Sequence, residues 1–356
     1  MDQKEIIASI EDLFRRQVRR DSDVKNAYLL VHSDRADIHV NLAEGTTGDT
    51  PADPRQPNYM ASVGKLFTST IISILYEQGE LSFHDRIAEH LDQELLRGLH
   101  VHKRTDYTEE IRIEHLLDQT SGLADNFFPL LDKLLEDPEF RITPREAIMW
   151  VKENRDPHFP PGAGFQYTDT NYHLLGLIIE NVTGLPFHEA LVQYIFQPLG
   201  MRHSWMIHYS EPMEPCPLPM ADFYFQGTRL NDLEGYGALD YAGGGVVAPT
   251  EDSLKFMRAL VTHRLVSKDT LQEMTADRAR FSLGIRYGYG TWQLTPVPLL
   301  MPKKFTSWGV VGATGAFIFY HPELDAYFIG CFNDFSYRRK VVRFMGRTMN
   351  QLWKGM

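Results

Sequence analysis

The chain has β-rich segments near both of its ends and a mostly helical stretch between them. Near the N-terminus, two β-rich runs joined by a short polar turn predict a hairpin at residues 27–43. Near the C-terminus, the runs GYGTWQL, SWGVVG, GAFIFY and AYFIGCFN predict further strands. Residues from about 80 to 205 are instead mostly helical in pattern. This order predicts an α+β fold in which a helical subdomain is inserted into a sheet-bearing body.

Two subdomains are therefore expected. The α/β subdomain combines residues 1–80 and 240–356, and the mainly helical subdomain spans residues 81–239 and includes substrate-side loops. A length of 356 residues suits this division, because single cores stop growing near ~250–300 residues. Within the second subdomain, residues 207–241 form a long proline- and aromatic-rich segment. Its aromatic run, Phe223, Tyr224 and Phe225, is open to two interpretations: pocket lining, or packing beneath the loop.

Charge and composition limit the classes of partner. The net charge of −11, without a long basic run, disfavours nucleic acid and anionic membranes. Two cysteines are too few for a disulfide framework. The N-terminal residues show no apolar signal-peptide region, and the apolar run Leu66 to Tyr76 is too short to span a bilayer. We expect a soluble cytoplasmic protein with no nucleic-acid or membrane partner. Its oligomeric state is not readable from the sequence.

The first candidate for chemistry is Ser62-Val-Gly-Lys65, at the start of a strongly apolar helix. A spacing of three residues places both side chains on one helical face. Free amides and the positive dipole end of a helix favour a developing oxyanion, and a nearby ammonium eases removal of the serine proton. The same spacing also arises by chance: Ser22-Asp-Val-Lys25 has it in a polar linker without a helix behind it.

A second candidate is Tyr167-Thr168-Asp169, which follows a tight loop and precedes a predicted helix from about Thr170. Thr168 or Asp169 could simply be the N-cap of that helix. Tyr167 could instead point into a cleft, where a neighbouring Lys65 would lower the pKa of its phenol far enough for general-base catalysis.

Two further patterns were weighed. Glycines in the run from Gly309 to Gly315 allow close backbone approach to a ligand, but they equally mark bulges. His100-Val-His102 places two possible metal ligands on one strand face, yet no third and fourth ligands occur at a recognisable spacing. We therefore expect no metal site.

With these three elements in this order, the sequence resembles the penicillin-recognising SxxK serine hydrolases. That family includes class C β-lactamases, D-alanyl-D-alanine carboxypeptidases and β-lactamase-like carboxylesterases. The resemblance covers about residues 55 to 335, and it is carried by the segments YMASVGKLFTSTIISILYEQGELSFHDRI, IRIEHLLDQTSGL, FQYTDTNYHLLG, PLGMRHSW, AGGGVVAPTEDSLKFMRAL and YGYGTW. It implies the β-lactamase/transpeptidase-like fold, an antiparallel sheet flanked by helices.

The resemblance also implies roles for individual residues. Ser62 corresponds to the nucleophile, Lys65 to its partner and Tyr167 to the tyrosine general base. The backbone amides of Ser62 and Ala313 correspond to the two donors of the oxyanion hole. Asp169 stands where relatives usually have an asparagine that contacts the lysine and the substrate, and a carboxylate there would pair more strongly with Lys65.

The third family motif, Lys-Thr-Gly or His-Thr-Gly, aligns with Val310-Val311-Gly312. In relatives its first two residues help to bind a substrate carboxylate. Valines offer neither charge nor hydrogen bond, so an unpaired carboxylate at this position would cost on the order of several kcal/mol if desolvated. Val310, Val311 and Gly312 are thus predicted substrate-binding positions that disfavour carboxylate-bearing substrates.

The resulting prediction is a serine hydrolase that cleaves a small-molecule ester or amide through an acyl-enzyme, without a cofactor. A D,D-peptidase, a D-aminopeptidase or a β-lactamase is the alternative within the family, weakened by the two valines and by the expected cytoplasmic location. A non-catalytic binding protein that keeps the fold is the alternative from another class. The acyl group, the leaving group and the identity of the acylation base stay open.

Overall fold

The structure is a computed structural model that describes residues 2–298 and 302–355. Its helices lie mainly between the first and the last strands of the chain, as the sequence pattern predicts. They are α1 Gln3–Arg19, α2 Gly64–Glu77, α3 Gln93–Leu96, α4 Ile113–Leu117, α5 Phe127–Glu136, α6 Pro144–Asn154, α7 Thr170–Thr183, α8 Phe187–Leu191, α9 Gln197–Leu199, α10 Tyr236–Gly244, α11 Thr250–Val261, α12 Lys268–Met274 and α13 Val341–Trp353. Single 3₁₀ turns include Ala61–Val63, and Val192–Phe196 is a π-helical turn.

The strands fall into one large sheet and several two- or three-stranded pieces. They are β1 Asn26–Ser33, β2 Ile38–Thr47, β3 Thr50–Pro51, β4 Asn58–Tyr59, β5 Val101–His102, β6 Thr105–Asp106, β7 Trp205–Met206, β8 Tyr224–Phe225, β9 Thr228–Arg229, β10 Val246–Ala248, β11 Ala279–Ser282, β12 Ile285–Tyr287, β13 Trp292–Leu294, β14 Ser307–Val311, β15 Phe317–His321 and β16 Ala326–Cys331. Within the described residues, the large sheet has nine strands in the order β11-β12-β13-β14-β15-β16-β1-β2-β3.

Every neighbouring pair in this sheet is antiparallel. The predicted N-terminal hairpin is confirmed as β1 and β2, and β1 also pairs with β16 from the far end of the chain. The sheet therefore closes the two ends of the sequence onto each other. The α+β fold with an antiparallel sheet flanked by helices is confirmed. The boundaries at residues 80 and 240 stay a prediction.

Alternating side chains of the central strands pack on opposite faces of the sheet, because successive residues of a strand point to opposite sides. Leu29 and Val31 pack in a core cluster with α1 and α13, whereas Leu30 packs in the cluster that contains α2 and α11. This arrangement buries all three side chains completely. It explains why β1 is buried along its whole length and not at every second position.

The helical part of the chain packs around α7. This helix begins at Thr170, as predicted, and ends at Gly184, whose positive φ of 70° gives the left-handed cap expected there. It contacts α2, α4, α6 and α10. The N-terminal ends of α2 and α7 carry the first two candidate motifs, so the packing of these two helices brings those motifs together.

Two details differ from the sequence-based expectations. The segment from 207 to 241 contains the short hairpin of β8 and β9, and it ends inside α10. The run GYGTWQL is a strand only over its last three residues, and the hairpin of β11 and β12 extends the sheet beyond it. Within the described residues, no helix has both the length and the apolar character needed to cross a bilayer.

Candidate active site

Ser62 lies in the 3₁₀ turn Ala61–Val63 that leads directly into α2. The Nζ atom of Lys65 is 3.4 Å from the Oγ atom of Ser62, so the spacing of three residues does place both side chains on one face. Ser62 is partly exposed, whereas Lys65 is completely buried. In the other Ser-x-x-Lys pattern, the ammonium of Lys25 contacts the backbone carbonyl of Ser22 and not its hydroxyl. Context separates the two patterns as predicted.

The ammonium of Lys65 is held by three acceptors. It donates to Ser62, to the backbone carbonyl of Gly243 at 2.8 Å, and to the Oδ1 atom of Asp169. Burial alone would lower the pKa of Lys65, but the facing carboxylate of Asp169 outweighs that effect, and the pKa lies above its usual value. Lys65 is therefore an ammonium at neutral pH. The expected strong pairing with Asp169 is present.

Asp169 does not cap α7 with its side chain. The carboxylate turns to Lys65 instead, while the hydroxyl of Thr168 accepts the amide hydrogen of Thr170 at 3.1 Å. Thr168 therefore caps α7, while Asp169 contacts Lys65; the sequence leaves the capping residue open between these two.

Tyr167 is partly buried, and its ring centre lies 5.1 Å from the Nζ atom of Lys65. Burial raises the pKa of its phenol, and although the ammonium of Lys65 opposes this, the net pKa is above the usual value. Lys65 acts in the expected direction, but burial, with a smaller contribution from Asp169, outweighs it, so the expected net fall in this pKa does not occur in the resting protein.

Two consecutive glycines allow α2, α7 and α10 to meet at this point. A Cβ atom at Gly243 would be 2.6 Å from the Oδ1 atom of Asp169 and 3.2 Å from the Nζ atom of Lys65. A Cβ atom at Gly64 would be 2.7 Å from the Cα atom of Gly244. Larger residues at these positions would push the nucleophile helix away from the glycine-rich segment.

The third candidate motif lies at the end of β14 and in the turn that follows. The amide of Gly312 donates to the carbonyl of Ala316 at 2.7 Å, which closes the turn. Throughout residues 2–298 and 302–355, the amides of Ser62 and Ala313 donate to no backbone or side-chain acceptor. Both residues line the same cavity. Two such free amides beside a nucleophile can stabilise an oxyanion.

The structure separates the two valines of this motif. Val311 lines the cavity together with Gly312, but Val310 does not; it is 1% exposed and packs in the core cluster that contains Met60 and Val63. The alternation of β14 is the cause, because adjacent residues of a strand face opposite sides. Within the Val310–Gly312 motif, only Val311 and Gly312 line the cavity in which a ligand would bind.

One cavity of about 670 Å³ contains Ser62, Tyr167, Asp169 and Ala313 in its wall. Most of the remaining wall is aromatic or aliphatic, formed by Tyr59, Phe127, Phe128, Tyr236, Phe281, Ile285, Trp292, Val311 and Val342. Its size and apolar lining suit a small organic molecule.

The aromatic run of the long loop is not part of this wall. Phe223 is fully buried and stacks on Tyr59, with ring centres 4.4 Å apart. Tyr224 and Phe225 form β8 and line a different depression. The packing interpretation thus holds for Phe223, whereas Tyr224 and Phe225 line a depression that does not contain Ser62.

The His100–His102 pair shows no sign of a metal site. His100 is completely buried, and the Nδ1 atom of His102 lies 3.0 Å from the carbonyl oxygen of Pro157. Among the residues that the structure describes, no group of three or more His, Cys, Asp or Glu side chains is arranged to bind a metal ion.

Comparison with known proteins agrees with this geometry. The model of the beta-lactamase family matches residues 14–345, which is nearly the whole chain. The chain belongs to the beta-lactamase family. Penicillin-binding protein 4* of Bacillus subtilis (strain 168) is 28% identical over 261 residues, covering 67% of this chain and 52% of that protein. The chain therefore spans about half the length of the curated relatives that it matches first.

Solved structures with a similar fold include an amidase and a hydrolase. The D-amino acid amidase of Ochrobactrum anthropi SV3, solved with L-phenylalanine, has a TM-score of 0.80 at 20% identity, covering 98% of this chain and 99% of that one. The hydrolase EstCE1 has a TM-score of 0.78 at 17% identity, covering 98% and 99%. At these identities the likeness shows the fold alone.

Sequence reasoning missed several charged residues of the cavity in this beta-lactamase family member. Asp125 and Asp240 line it beside Asp169, and Arg338 and Arg339 lie exposed in its wall. A signal existed for Asp240, because it stands three residues before the glycine run at 243–245. No comparable signal marks the two arginines, which follow the last strand and belong to none of the family-like segments.

Proposed function

We propose that the protein is a serine hydrolase that cleaves an ester or an amide of a small organic molecule through an acyl-enzyme on Ser62. The observation that carries this proposal is the 3.4 Å contact between Ser62 and Lys65 at the wall of a cavity that also contains Tyr167. A nucleophile with an adjacent proton-transfer group and free amide donors is the minimum set for acyl transfer.

In the proposed reaction, the Oγ atom of Ser62 attacks the substrate carbonyl and its proton passes to the Tyr167–Lys65 pair. The carbonyl oxygen becomes an oxyanion and accepts hydrogen bonds from the amides of Ser62 and Ala313. Collapse of this intermediate breaks the bond to the leaving group, which takes the proton as it departs. Water then attacks the acyl-enzyme by the same route, releasing the acid and restoring Ser62.

The proposal requires no metal ion or organic cofactor. It assigns Asp169 to holding Lys65 and the substrate side of the cavity, and Val311 and Gly312 to the wall beside the scissile bond. Oligomeric state plays no part in it, because every group it uses belongs to one chain.

Labelling with a fluorophosphonate probe tests the nucleophile directly, since the probe forms a covalent bond with an activated serine. Unaltered protein should be labelled, and Ser62→Ala should lose both labelling and ester hydrolysis with its melting temperature nearly unchanged. Ser22→Ala is the matched control, because Ser22 shares the sequence spacing but lies exposed, and its lysine contacts its backbone carbonyl and not its hydroxyl. Labelling that persists in Ser62→Ala would overturn the assignment of the nucleophile, and absence of labelling in the unaltered protein would favour the non-catalytic alternative.

A substrate panel then separates ester from amide chemistry. Short-chain aryl esters, D-amino-acid amides and a chromogenic cephalosporin represent the carboxylesterase, the amidase or D-aminopeptidase, and the β-lactamase alternatives. The value of kcat/KM for each substrate, compared with the same value for Ser62→Ala, shows which activity depends on the proposed nucleophile.

A further inference from the structure

A buried carboxylate in the cavity wall is not used by the reaction described above. Asp240 is 3% exposed, and in the described part of the chain its Oδ2 atom is buried without a hydrogen-bond partner. No ion pair is formed by this carboxylate within the same residues, although it lines the cavity. A buried carboxylate is stable when it faces a cation or a donor, because desolvation of an unpaired charge is costly.

The position of Asp240 relative to the nucleophile follows from the two glycines of α10. A Cβ atom at Gly244 would lie 2.5 Å from both carboxylate oxygens of Asp240, while one at Gly243 would lie 2.6 Å from the Oδ1 atom of Asp169. The two carboxylates therefore stand against neighbouring residues of one backbone segment. Asp240 thus belongs to the part of the cavity that contains the Lys65–Asp169 pair.

A third carboxylate reinforces the charge of this region. Asp125 lines the cavity, and its Oδ1 atom accepts the amide hydrogen of Asp169 at 2.9 Å. Burial, followed by the nearby Asp169, raises the pKa of Asp125 to about 6, and burial raises the pKa of Asp240 to about 8. Lys65 is bonded to Asp169 and also lowers the pKa of Asp125. Burial is the cause of the shift in the pKa of Asp240, which has no cation beside it among the described residues. A second cation would stabilise the ionised form of Asp240.

The other groups in the cavity wall indicate which kind of cation could pair with Asp240. Among the described residues, these carboxylates form no metal-binding group. The arginines of the cavity, Arg338 and Arg339, are exposed, and the guanidinium of Arg338 lies 5.9 Å from the ring centre of Phe128. A small organic cation that enters with the substrate, bordered by aromatic rings such as Tyr236, suits this combination of charge and apolar surface.

We propose that Asp240 forms a subsite for an ammonium group of the substrate. The preferred substrates are then esters or amides of acids that carry a primary amine close to the scissile carbonyl. This inference rests on the proposed function, because the amine is recognised only relative to acyl transfer to Ser62.

The test compares matched substrates that differ only at the amine. The methyl esters of phenylalanine, N-acetylphenylalanine and 3-phenylpropanoic acid are used, the first two as each enantiomer, and the readout is the ratio of kcat/KM with the free amine to kcat/KM without it. In the unaltered protein the free amine should be favoured by at least ~10-fold, the lower range of a charge-assisted hydrogen bond. Asp240→Asn should reduce this ratio by about 10- to 100-fold.

Asp118→Asn is the matched control for this ratio. Asp118 is also a buried carboxylate, with a pKa raised to about 6 by burial, but it does not line the cavity. Its substitution should leave the ratio unchanged. The inference is overturned if the unaltered protein shows no preference for the free amine, or if Asp240→Asn keeps the ratio of the unaltered protein.

A second measurement needs no variant, and it decides the matter if Asp240→Asn does not fold. Phenethylamine and 2-phenylethanol are compared as inhibitors of aryl-ester hydrolysis by the unaltered protein. The amine should have an inhibition constant at least ~10-fold lower than that of the alcohol. Equal inhibition would contradict an ammonium subsite.

The two possible failures are distinguishable. If the proposed function fails, the fluorophosphonate probe does not label Ser62 and no ester is hydrolysed. If only the ammonium subsite fails, labelling and hydrolysis depend on Ser62 while the amine has no effect on either measurement.

Discussion

The carboxylate of Asp169 changes the proton balance around the nucleophile. Relatives usually carry a neutral asparagine at this position, whereas Asp169 bonds directly to the ammonium of Lys65. It holds the pKa of Lys65 above its usual value, and the pKa of Tyr167 is also raised, chiefly by burial. Neither group is a free base at neutral pH. The rate of ester hydrolysis should therefore increase from neutral into alkaline pH.

Asp169→Asn tests the origin of this pH dependence. Loss of the carboxylate removes the main group that raises the pKa of Lys65, so the pKa falls and the deprotonated site forms at lower pH. The ascending limb of kcat/KM for an aryl ester should move to lower pH by about 1 to 3 units, the usual effect of an adjacent opposite charge. Asp118→Asn should leave the limb in place. A limb that does not move in Asp169→Asn would show that Lys65 does not determine it.

Tyr167→Phe removes one hydroxyl and keeps the ring. If Tyr167 transfers the proton of Ser62, acylation should slow by ~10²–10⁴-fold, the usual contribution of a general acid–base group. Tyr172→Phe is the control, because the ring centre of Tyr172 also lies near the Nζ atom of Lys65, at 5.2 Å, but its hydroxyl donates to the carbonyl of Leu117. Acylation is measured by burst-phase kinetics. An unchanged rate in Tyr167→Phe would leave Lys65 as the base.

At the residue scale, the sequence predicts contacts between residues that are close in the chain better than contacts between residues that are far apart in it. Ser62 and Lys65 are three positions apart on one helix, so their contact follows from helix geometry. Asp125 precedes α5 and Asp240 lies in α10, so the two reach the same cavity from segments far apart in the chain, and only tertiary packing places both in its wall. The raised pKa of Tyr167 depends on the same packing, and for that reason a local pattern did not reveal it.

At the scale of elements, the turn after β14 depends on a buried polar network behind it. The amide of Asp334 donates to the carbonyl of Thr314 at 3.2 Å. The Nδ2 atom of Asn333 donates to the Oδ1 atoms of Asn26 at 2.6 Å and Asn58 at 3.0 Å. The Oδ1 atom of Asn333 in turn accepts a hydrogen bond from the thiol of Cys331 at 2.8 Å. This network links the ends of β1 and β16 to the turn that carries Ala313.

Asn333→Ala tests the weight of this network. Several buried groups would lose their partners, at about 1–3 kcal/mol for each unsatisfied group. The φ of 53° at this position adds a further cost, since a left-handed backbone is strained for alanine by roughly 1–2 kcal/mol. The free energy of unfolding in urea should fall by at least ~3 kcal/mol. Asn350→Ala, which loses a bond to Lys304 in a partly exposed position, should change it by less than ~1 kcal/mol. Equal losses would show that the network is not specific.

The order of elements was predictable because periodicity is local, while strand register was not. The short runs of β-branched and aromatic residues in β14 and β15 identify both as strands. Which of Val310 and Val311 faces the cavity depends on where the strand lies in the sheet, with Val310 opposite Ile318 and Val311 opposite Phe317. A match to a family motif cannot determine that orientation when neither valine is polar. Val310 was for this reason grouped with the site, although its side chain packs in the core.

At the scale of the whole molecule, charge is distributed unevenly around the cavity. The chain has a net charge of −11, and three of its carboxylates, Asp125, Asp169 and Asp240, line the cavity near the nucleophile. The two arginines of the wall are exposed to solvent, where salt screens them. At neutral pH Asp169 is balanced by Lys65 and Asp125 is mostly ionised. Asp240 ionises when a cation enters. The cavity near Ser62 therefore favours a cation over an anion.

This distribution predicts selectivity against substrates that carry a carboxylate near the scissile bond. Val311 and Gly312 supply no charge or side-chain hydrogen bond there, so a desolvated carboxylate would cost on the order of several kcal/mol. A neutral short-chain aryl ester should have a kcat/KM at least ~10²-fold above that of a chromogenic cephalosporin or a D-Ala-D-Ala peptide. Both values are measured in the same buffer at two salt concentrations.

The double variant Arg338→Ala with Arg339→Ala determines whether the exposed arginines contribute to this selectivity. Because they are screened and lie at the exposed part of the wall, their removal should change the ester-to-cephalosporin ratio by less than about 3-fold, the scale of a surface charge pair. If the unaltered protein instead hydrolyses the cephalosporin as fast as the ester, and the double variant loses only the cephalosporin activity, these arginines bind the carboxylate. In that case the substrate carboxylate would be bound by the segment before α13 and not by the end of β14, where Val310 and Val311 stand.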